Sequence, residues 1–166
     1  RSTQALAEIV LAFAARRSGN LDEASTRLQE LIDAARRQKE AVLYLSLVLD
    51  ELGVVKELQG RPADGLELHL EAFRVSEEFE SLRGMCWALE GVAACHPDKT
   101  LAAVLQGCVA ATRATENYLI AASETEDLDR AVAAATAALG EAGYQAAHAR
   151  GAELSPAEVY ELLVRQ

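Results

Sequence analysis

The sequence predicts an all-α fold built from repeated antiparallel helix pairs, and three observations support this prediction. Hydrophobic residues form 51% of the 166 residues but aromatic residues only 5%, and Ala and Leu supply most of them, which argues against a β-sandwich or barrel. Apolar residues recur with helical periodicity along almost the whole chain, interrupted by Gly or Pro. Similar turn-and-helix segments also recur along the sequence, which is typical of a repeat protein.

The periodicity predicts about nine helices. They cover residues 3–17, 21–38, 40–59, 62–80, 82–95, 98–113, 127–139, 141–150 and 156–165. Apolar stripes at i, i+3 and i+4 spacing mark the first two helices, and Gly19 separates them. Gly60 ends the third helix, and Pro62 begins the fourth, because the missing N–H of proline needs no partner in the first turn of a helix.

The later helices begin and end at similar signals. Pro97 marks the start of the sixth helix, and Gly140 separates the seventh from the eighth. The last helix has the clearest entry signal, since Ser155 can cap it, Pro156 occupies its first position and Glu158 completes a capping box.

Internal repetition is visible at the glycines. Gly19 and Gly60, 41 residues apart, begin two versions of one turn, while Gly53 and Gly91, 38 residues apart, lie inside helices. A glycine inside a helix costs about 0.5–1 kcal/mol relative to alanine, so we expect close helix packing at Gly53 and Gly91, and also at Gly65. Because one helix pair cannot bury both of its faces, the repeats must stack on one another as an α-solenoid.

The repeats divide a single predicted domain into four parts. Repeat one covers residues 1–38, repeat two 39–81, repeat three 82–122, and a helical capping tail 123–166.

Charge and processing signals limit the classes of function. With 16 Lys and Arg against 26 Asp and Glu, the formal net charge is −10, which disfavours direct binding of nucleic acid. No apolar run approaches the roughly 18 residues that a membrane span needs, and no signal peptide opens the chain. The chain begins at Arg1 without an initiator Met, which indicates a fragment of a longer protein or a processed product. Three cysteines without paired spacing indicate reduced thiols and a cytoplasmic protein.

No constellation of residues predicts a cofactor, a metal site or an enzyme. Cys86, Cys95, His96 and Cys108 lie close in sequence but lack zinc-ligand spacing, so we expect the cysteines to be small core residues. We expect His69 to lie at the core edge or the surface.

Other polar and aromatic residues have structural interpretations. We expect His148 to pack as an aromatic ring and Trp87 to be buried between the two helices of its repeat. The acidic runs at 77–80 and 124–129 are interpreted as a solvated face and a helix start. A helical-bundle enzyme is therefore the least favoured class.

The repeats resemble tetratricopeptide (TPR) repeats, through Leu52-Gly53, Gly60 and Ala72, with a period longer than the standard 34 residues. Two stretches are more specific, SLRGMCWALEGVA at 81–93 and the tail at 128–158, which contains ALGEAGYQAAHARGAELSPAE. They are similar to the C-terminal regions of actinobacterial LuxR-like and AfsR-like signal-transduction ATPases (STAND ATPases) that regulate transcription. His148 stands where that family usually has Trp.

The resemblance implies a sensor or arm region that works beside ATPase and DNA-binding domains of the same chain. No G-x-x-x-x-G-K-[ST] motif is present, so neither ATP hydrolysis nor DNA binding is assigned to these residues. In TPR-like stacks the first helices of successive repeats line a concave groove. Matching the repeats places these residues in the groove: Ile9, Phe13, Arg16, Asp50, Val54, Glu57, Ala88 and Val92, with Cys95 beside them.

The predicted groove is apolar and acidic, with Arg16 at one end. It suits a protein or peptide partner with apolar anchors and some positive charge, or a small effector. The other interpretation is that these residues pack against the tail helices and bind nothing. The sequence thus leaves open a regulatory module of a larger transcriptional regulator, a stand-alone TPR adaptor without a transcriptional role, and, least favoured, a helical enzyme.

Overall fold

The computed structural model describes residues 2–37, 44–117, 120 and 122–165. These residues form helices without any strand, which confirms the all-α prediction. The eight helices of this part of the chain are α1 (Ser2–Arg17), α2 (Leu21–Arg37), α3 (Leu45–Leu58), α4 (Pro62–Glu78), α5 (Leu82–Cys95), α6 (Lys99–Glu116), α7 (Ala122–Gly151) and α8 (Pro156–Val164). The predicted end of the second helix, residue 38, and the predicted start of the third, residue 40, lie outside the described residues.

The chain divides into two compact units. The N-terminal unit is Arg1–Gly84 and the C-terminal unit is Met85–Gln166. This boundary lies inside α5, three residues beyond the predicted start of repeat three.

In the N-terminal unit, consecutive helices pack against each other: α1 on α2, α2 on α3 and α3 on α4. The buried side of α2 is the stripe that the sequence predicts, with Ala24, Leu28, Leu31 and Ala35 all buried and Leu21 partly exposed. Consecutive packing of amphipathic helices agrees with a helical repeat.

The turns of this unit share one backbone arrangement. Gly19 and Gly60 follow α1 and α3 with φ of 80° and 76°, the left-handed conformation that glycine adopts without steric cost. The same pair of backbone hydrogen bonds follows α4, where the left-handed position is occupied by Glu80 with φ of 52°. The turn after α4 therefore repeats the geometry of the other two without their glycine.

In the C-terminal unit, α6 lies at the centre. Every residue from Leu101 to Val109 is buried, and α6 packs on both α7 and α8. A Cβ at Gly107 would lie 1.9 Å from the carbonyl oxygen of His148, and one at Gly151 would lie 1.8 Å from that of Val104. The backbones of α6 and α7 therefore touch directly at this crossing.

The tail contains two helical stretches that meet at Gly140, where the sequence predicts a break. α7 begins at Ala122, five residues before the predicted start, and it continues past Gly140. Gly140 has φ of 72° and ψ of 162°, so the helical backbone breaks at the predicted position and α7 is kinked there. Because α7 is counted as one element across this kink, the described part of the chain has eight helices and the prediction about nine.

The capping box of α8 is confirmed. The hydroxyl of Ser155 accepts from the backbone N–H of Glu158, and the Glu158 carboxylate accepts from the backbone N–H of Ser155. Hydrogen bonds from the backbone and then the hydroxyl of Ser155 lower the pKa of Glu158.

Candidate functional site

A buried ion pair joins α1 to α3. The Nε of Arg16 lies 2.5 Å from Oε1 of Glu51, and each side chain is only 9% exposed. Removing one partner of a buried pair leaves an uncompensated charge, so such a pair fixes which residues of the two helices meet. Arg16, which the sequence places at one end of the groove, is thus turned towards α3.

A second polar contact joins α3 to α4. The Nδ1 of His69 lies 2.6 Å from Oδ1 of Asp50, and the ring covers Gly53, where a Cβ would lie 2.5 Å from Nε2. The side chain of His69 is fully buried and that of Asp50 is 19% exposed. This His–Asp pair therefore joins α3 to α4 through a ring that has no exposed surface.

The prediction that His69 lies at the core edge or the surface is wrong. Its repeat equivalent, Leu28, is fully buried, and so is His69. The missing side chain of Gly53 provides the space for the ring, and Asp50 provides a hydrogen-bond partner. The predicted close packing at Gly53 is confirmed, and the atoms that fill it belong to this histidine.

Between Asp50 and Leu58, four residues on one side of α3 keep exposed surface, and we call them the α3 strip. Asp50, Val54 and Glu57 are partly exposed, and Leu58 is 39% exposed. They are spaced by four, three and one residues, so they share one side of the helix. The strip combines two carboxylates with two apolar side chains. Phe13 of α1, another predicted groove residue, is also partly exposed.

Three of the predicted groove residues lie in the core. Ile9 is 5% exposed, and Ala88 and Val92 have no exposed surface. Ile9 precedes Arg16 by seven residues, so both lie on the side of α1 that faces α3. Ala88 and Val92, four residues apart on α5, have the spacing of a core-facing helix side. The binding surface that we propose below therefore leaves these three residues out, and Cys95, which is also buried.

A buried ion pair in the C-terminal unit has no signal in the sequence. Arg113 of α6 contacts both carboxylate oxygens of Glu90 on α5, at 2.5 and 2.8 Å. Its side chain is 8% exposed, and Glu124 of α7 approaches it to 3.8 Å. The two residues are 23 positions apart, and nothing in the helical periodicity pairs them.

The three cysteines are buried thiols. Burial raises the pKa of Cys86 to about 12 and that of Cys108 to about 11. The Cys108 thiol donates a hydrogen bond to the carbonyl oxygen of Leu154. The described residues contain no group of three or more His, Cys, Asp or Glu side chains arranged to hold a metal ion.

The two aromatic predictions have different outcomes. His148 is partly exposed, and its ring lies 5.6 Å from that of Tyr144, so it packs as an aromatic side chain. Trp87 is only partly buried, in contrast to its predicted place between two helices.

An open crevice lies between the α1–α2 turn and the α3–α4 turn. It has a volume of about 810 Å³ and is lined mainly by polar side chains. The Nε2 of Gln59 donates to Oδ1 of Asp22 across it, and Arg61 pairs with Asp64. The contact between Gln59 and Asp22 ties the two turns together, whereas the pair of Arg61 and Asp64 is local to the start of α4.

Comparison of the chain with protein-family models, with curated proteins and with solved structures finds no match. Within the part of the chain that the structure describes, no helix has the length and apolar character needed to cross a membrane.

Proposed function

We propose that this chain is a TPR-like, non-enzymatic binding module in the regulatory arm of a larger bacterial transcriptional regulator. The observation that carries the proposal is the α3 strip, which presents apolar and acidic side chains from a helix that is otherwise held firmly. Arg16 of α1 and His69 of α4 both contact α3. The strip is thus preorganised, and preorganisation lowers the entropic cost of binding.

The chemistry of the strip defines the partner. Val54 and Leu58, four residues apart, suit an apolar anchor of a protein or peptide, and an amphipathic helix presents such anchors at i and i+4. Asp50 and Glu57 favour positive charge beside that anchor. A small effector with an apolar body and a cationic group is the other ligand class that fits.

The regulator part of the proposal depends on the resemblance of residues 81–93 and 128–158 to the STAND ATPase regulators. In that context the ATPase and DNA-binding domains belong to other parts of the same chain, in the cytoplasm. The net charge of −10 fits a module that leaves DNA binding to those domains.

A matched pair of variants tests the binding surface. Leu58→Lys places a charge on the α3 strip, and Leu162→Lys does the same on α8, where the leucine is 43% exposed against 39% for Leu58. The full-length protein is recovered from its native cells with each variant, and the bound proteins are quantified by mass spectrometry. We expect Leu58→Lys to lose a partner that the wild type and Leu162→Lys retain. Identical sets of bound proteins from both variants would remove the α3 strip from the proposal.

The complete open reading frame tests the regulator assignment separately. We expect it to encode a nucleotide-binding ATPase domain and a helix-turn-helix or winged-helix domain. If the open reading frame encodes neither of these domains, and Leu58→Lys still abolishes binding of a partner, the stand-alone adaptor is the better assignment.

A further inference from the structure

The contact between His69 of α4 and Asp50 of α3 has an apolar counterpart in repeat one. Gly53 completes the contact, because the absence of a Cβ leaves room for the imidazole ring. The equivalent positions of repeat one, 41 residues earlier, carry apolar side chains that are all buried: Ile9, Ala12 and Leu28. Since α1 packs on α2 as α3 packs on α4, a helix pair of this kind forms without a polar group at these positions.

The stability of the helix pair therefore does not explain the polar contact in repeat two. Replacing a buried polar or ionic pair by apolar side chains of similar volume is often neutral or stabilising, because burial removes the polar groups from water. The two members also differ in exposure, since His69 has no exposed surface and the side chain of Asp50 is 19% exposed. The contact thus connects the interior of the N-terminal unit to a carboxylate on the α3 strip.

The hydrogen bond determines which atoms of Asp50 are left for a ligand. An ionised carboxylate only accepts hydrogen bonds, so the 2.6 Å contact places a proton on Nδ1 of His69. This bond uses Oδ1 of Asp50, and Oδ2 can still accept from another donor. A hydrogen bond to a charged acceptor is strong, so the ring restricts rotation of the Asp50 side chain. A group that is already held in place loses less entropy when a ligand binds.

We infer, on the basis of the proposed function, that His69 is a positioning residue of the α3 strip and holds the Asp50 carboxylate ready to bind a cationic group of the partner. The buried ring acts on the partner through Asp50. Val54 follows Asp50 by four residues on the same side of α3, which is a distance of about 6 Å along the helix axis. The partner is therefore a protein segment with a lysine or arginine about one helical turn from its apolar anchor.

Four substitutions separate positioning from folding. His69→Leu introduces the residue that repeat one has at the equivalent position, so we expect the helix pair to stay folded. His69→Asn is the conservative variant, because its amide nitrogen is attached to Cγ, as Nδ1 is, and can donate to Asp50. Asp50→Asn removes the charge of the strip, and Glu30→Gln removes one carboxylate from an exposed position of α2. Far-UV circular dichroism and urea denaturation check the folding of each variant.

A displayed library of helical peptides is the probe, with leucine at two positions four residues apart and random residues elsewhere. It is selected on the 166-residue chain, and the peptides whose binding Leu58→Lys abolishes are kept. We expect them to carry a lysine or arginine whose replacement by glutamine weakens binding about fivefold. This ratio should fall below about twofold in Asp50→Asn and His69→Leu, and it should keep its wild-type value in His69→Asn and Glu30→Gln.

Failure of this inference is distinguishable from failure of the proposed function. If Leu58→Lys abolishes the binding of no selected peptide, the α3 strip is not a binding surface and both fail. If the peptides bind the strip but folded His69→Leu keeps the wild-type ratio, the strip stands and the role of His69 is overturned. Loss of the ratio in folded His69→Asn, or its persistence in Asp50→Asn at the partly exposed end of the contact, would also overturn that role.

Discussion

The two units of this chain use glycine in different ways at their closest helix contacts. In the N-terminal unit, Gly53 of α3 accommodates a side chain, the imidazole ring of His69 on α4. In the C-terminal unit, Gly107 and Gly151 accommodate backbone, because each lies against a carbonyl group of the opposite helix. A side chain can rotate away from an added methyl group, whereas a helix backbone must shift as a whole.

This difference concerns how the helices of each unit are held together. The C-terminal unit is built around α6, whose residues from Leu101 to Val109 are all buried, and backbone contact holds it against α7. The N-terminal unit is joined by side-chain contacts, the ion pair of Arg16 with Glu51 and the contact of His69 with Asp50. Exposed apolar side chains occur in both units, on α1 and α3 and also on α8.

The largest predicted effect is that of Gly107→Ala. The added Cβ would meet the carbonyl oxygen of His148 at 1.9 Å, so α6 and α7 must separate. We expect the free energy of unfolding to fall by about 3 kcal/mol. Urea denaturation followed by the fluorescence of Trp87, the single tryptophan, measures this loss in the unit that contains the crossing.

Gly143→Ala on α7 is the matched control for this prediction. A Cβ there would lie 3.4 Å from the Cβ of Leu139, an ordinary contact, and Gly143 is exposed. Alanine favours the helix over glycine, so we expect a gain of about 0.5 kcal/mol. If both alanine variants changed stability equally, direct backbone contact at Gly107 would be disproved.

Gly53→Ala should have a smaller effect that depends on His69. The new Cβ displaces the imidazole ring from its place beside Asp50, and we expect a loss of about 2 kcal/mol. In a His69→Ala background the obstacle is gone, so the same substitution should cost almost nothing. A double-mutant cycle by urea denaturation, followed by far-UV circular dichroism, measures this coupling. Additive losses would mean that the ring does not occupy the space above Gly53.

The smallest predicted effect concerns the turn after α4. Glu80 has φ of 52°, a conformation that costs a residue with a Cβ about 1 kcal/mol. Glu80→Gly should therefore stabilise the chain by up to about 1 kcal/mol. The net gain is smaller than this strain energy, because glycine also gives the unfolded chain more conformational entropy. Thermal unfolding checks the sign of the change, with Gly60→Ala expected to destabilise the equivalent turn. A clear loss of stability in Glu80→Gly would show that the three turns are not equivalent.

Much of the fold can be predicted from local sequence signals. Ser155 and Glu158 form the predicted capping box, Gly19 and Gly60 lie in the predicted turns, and the predicted stripe of α2 is buried except for the partly exposed Leu21. These features depend on neighbouring residues, and local sequence contains that information. The break at Gly140 also lies at its predicted position, where the positive φ of the glycine kinks α7.

The candidate site is harder to predict because it depends on contacts between distant residues. Ile9 and Arg16 have the spacing of groove residues, but pairing of Arg16 with Glu51 turns that side of α1 into the interface with α3. Leu58 has a signal in the sequence, since it follows Val54 by four residues. No sequence signal predicts the burial of His69, because the buried position of its ring depends on Gly53 and Asp50, which lie on another helix. The backbone contact at Gly107 cannot be predicted from the sequence either, since a glycine does not indicate which atoms pack against it.

Photo-cross-linking in native cells tests the assignment of binding to the N-terminal unit most directly. The photoreactive amino acid p-benzoylphenylalanine replaces Leu58 on the α3 strip or, as the control, Leu162 on α8, two leucines of similar exposure. The account predicts one discrete cross-linked partner from position 58 of the full-length protein and none from position 162. Cross-linking from position 162 alone, or the same adducts from both positions, would contradict it.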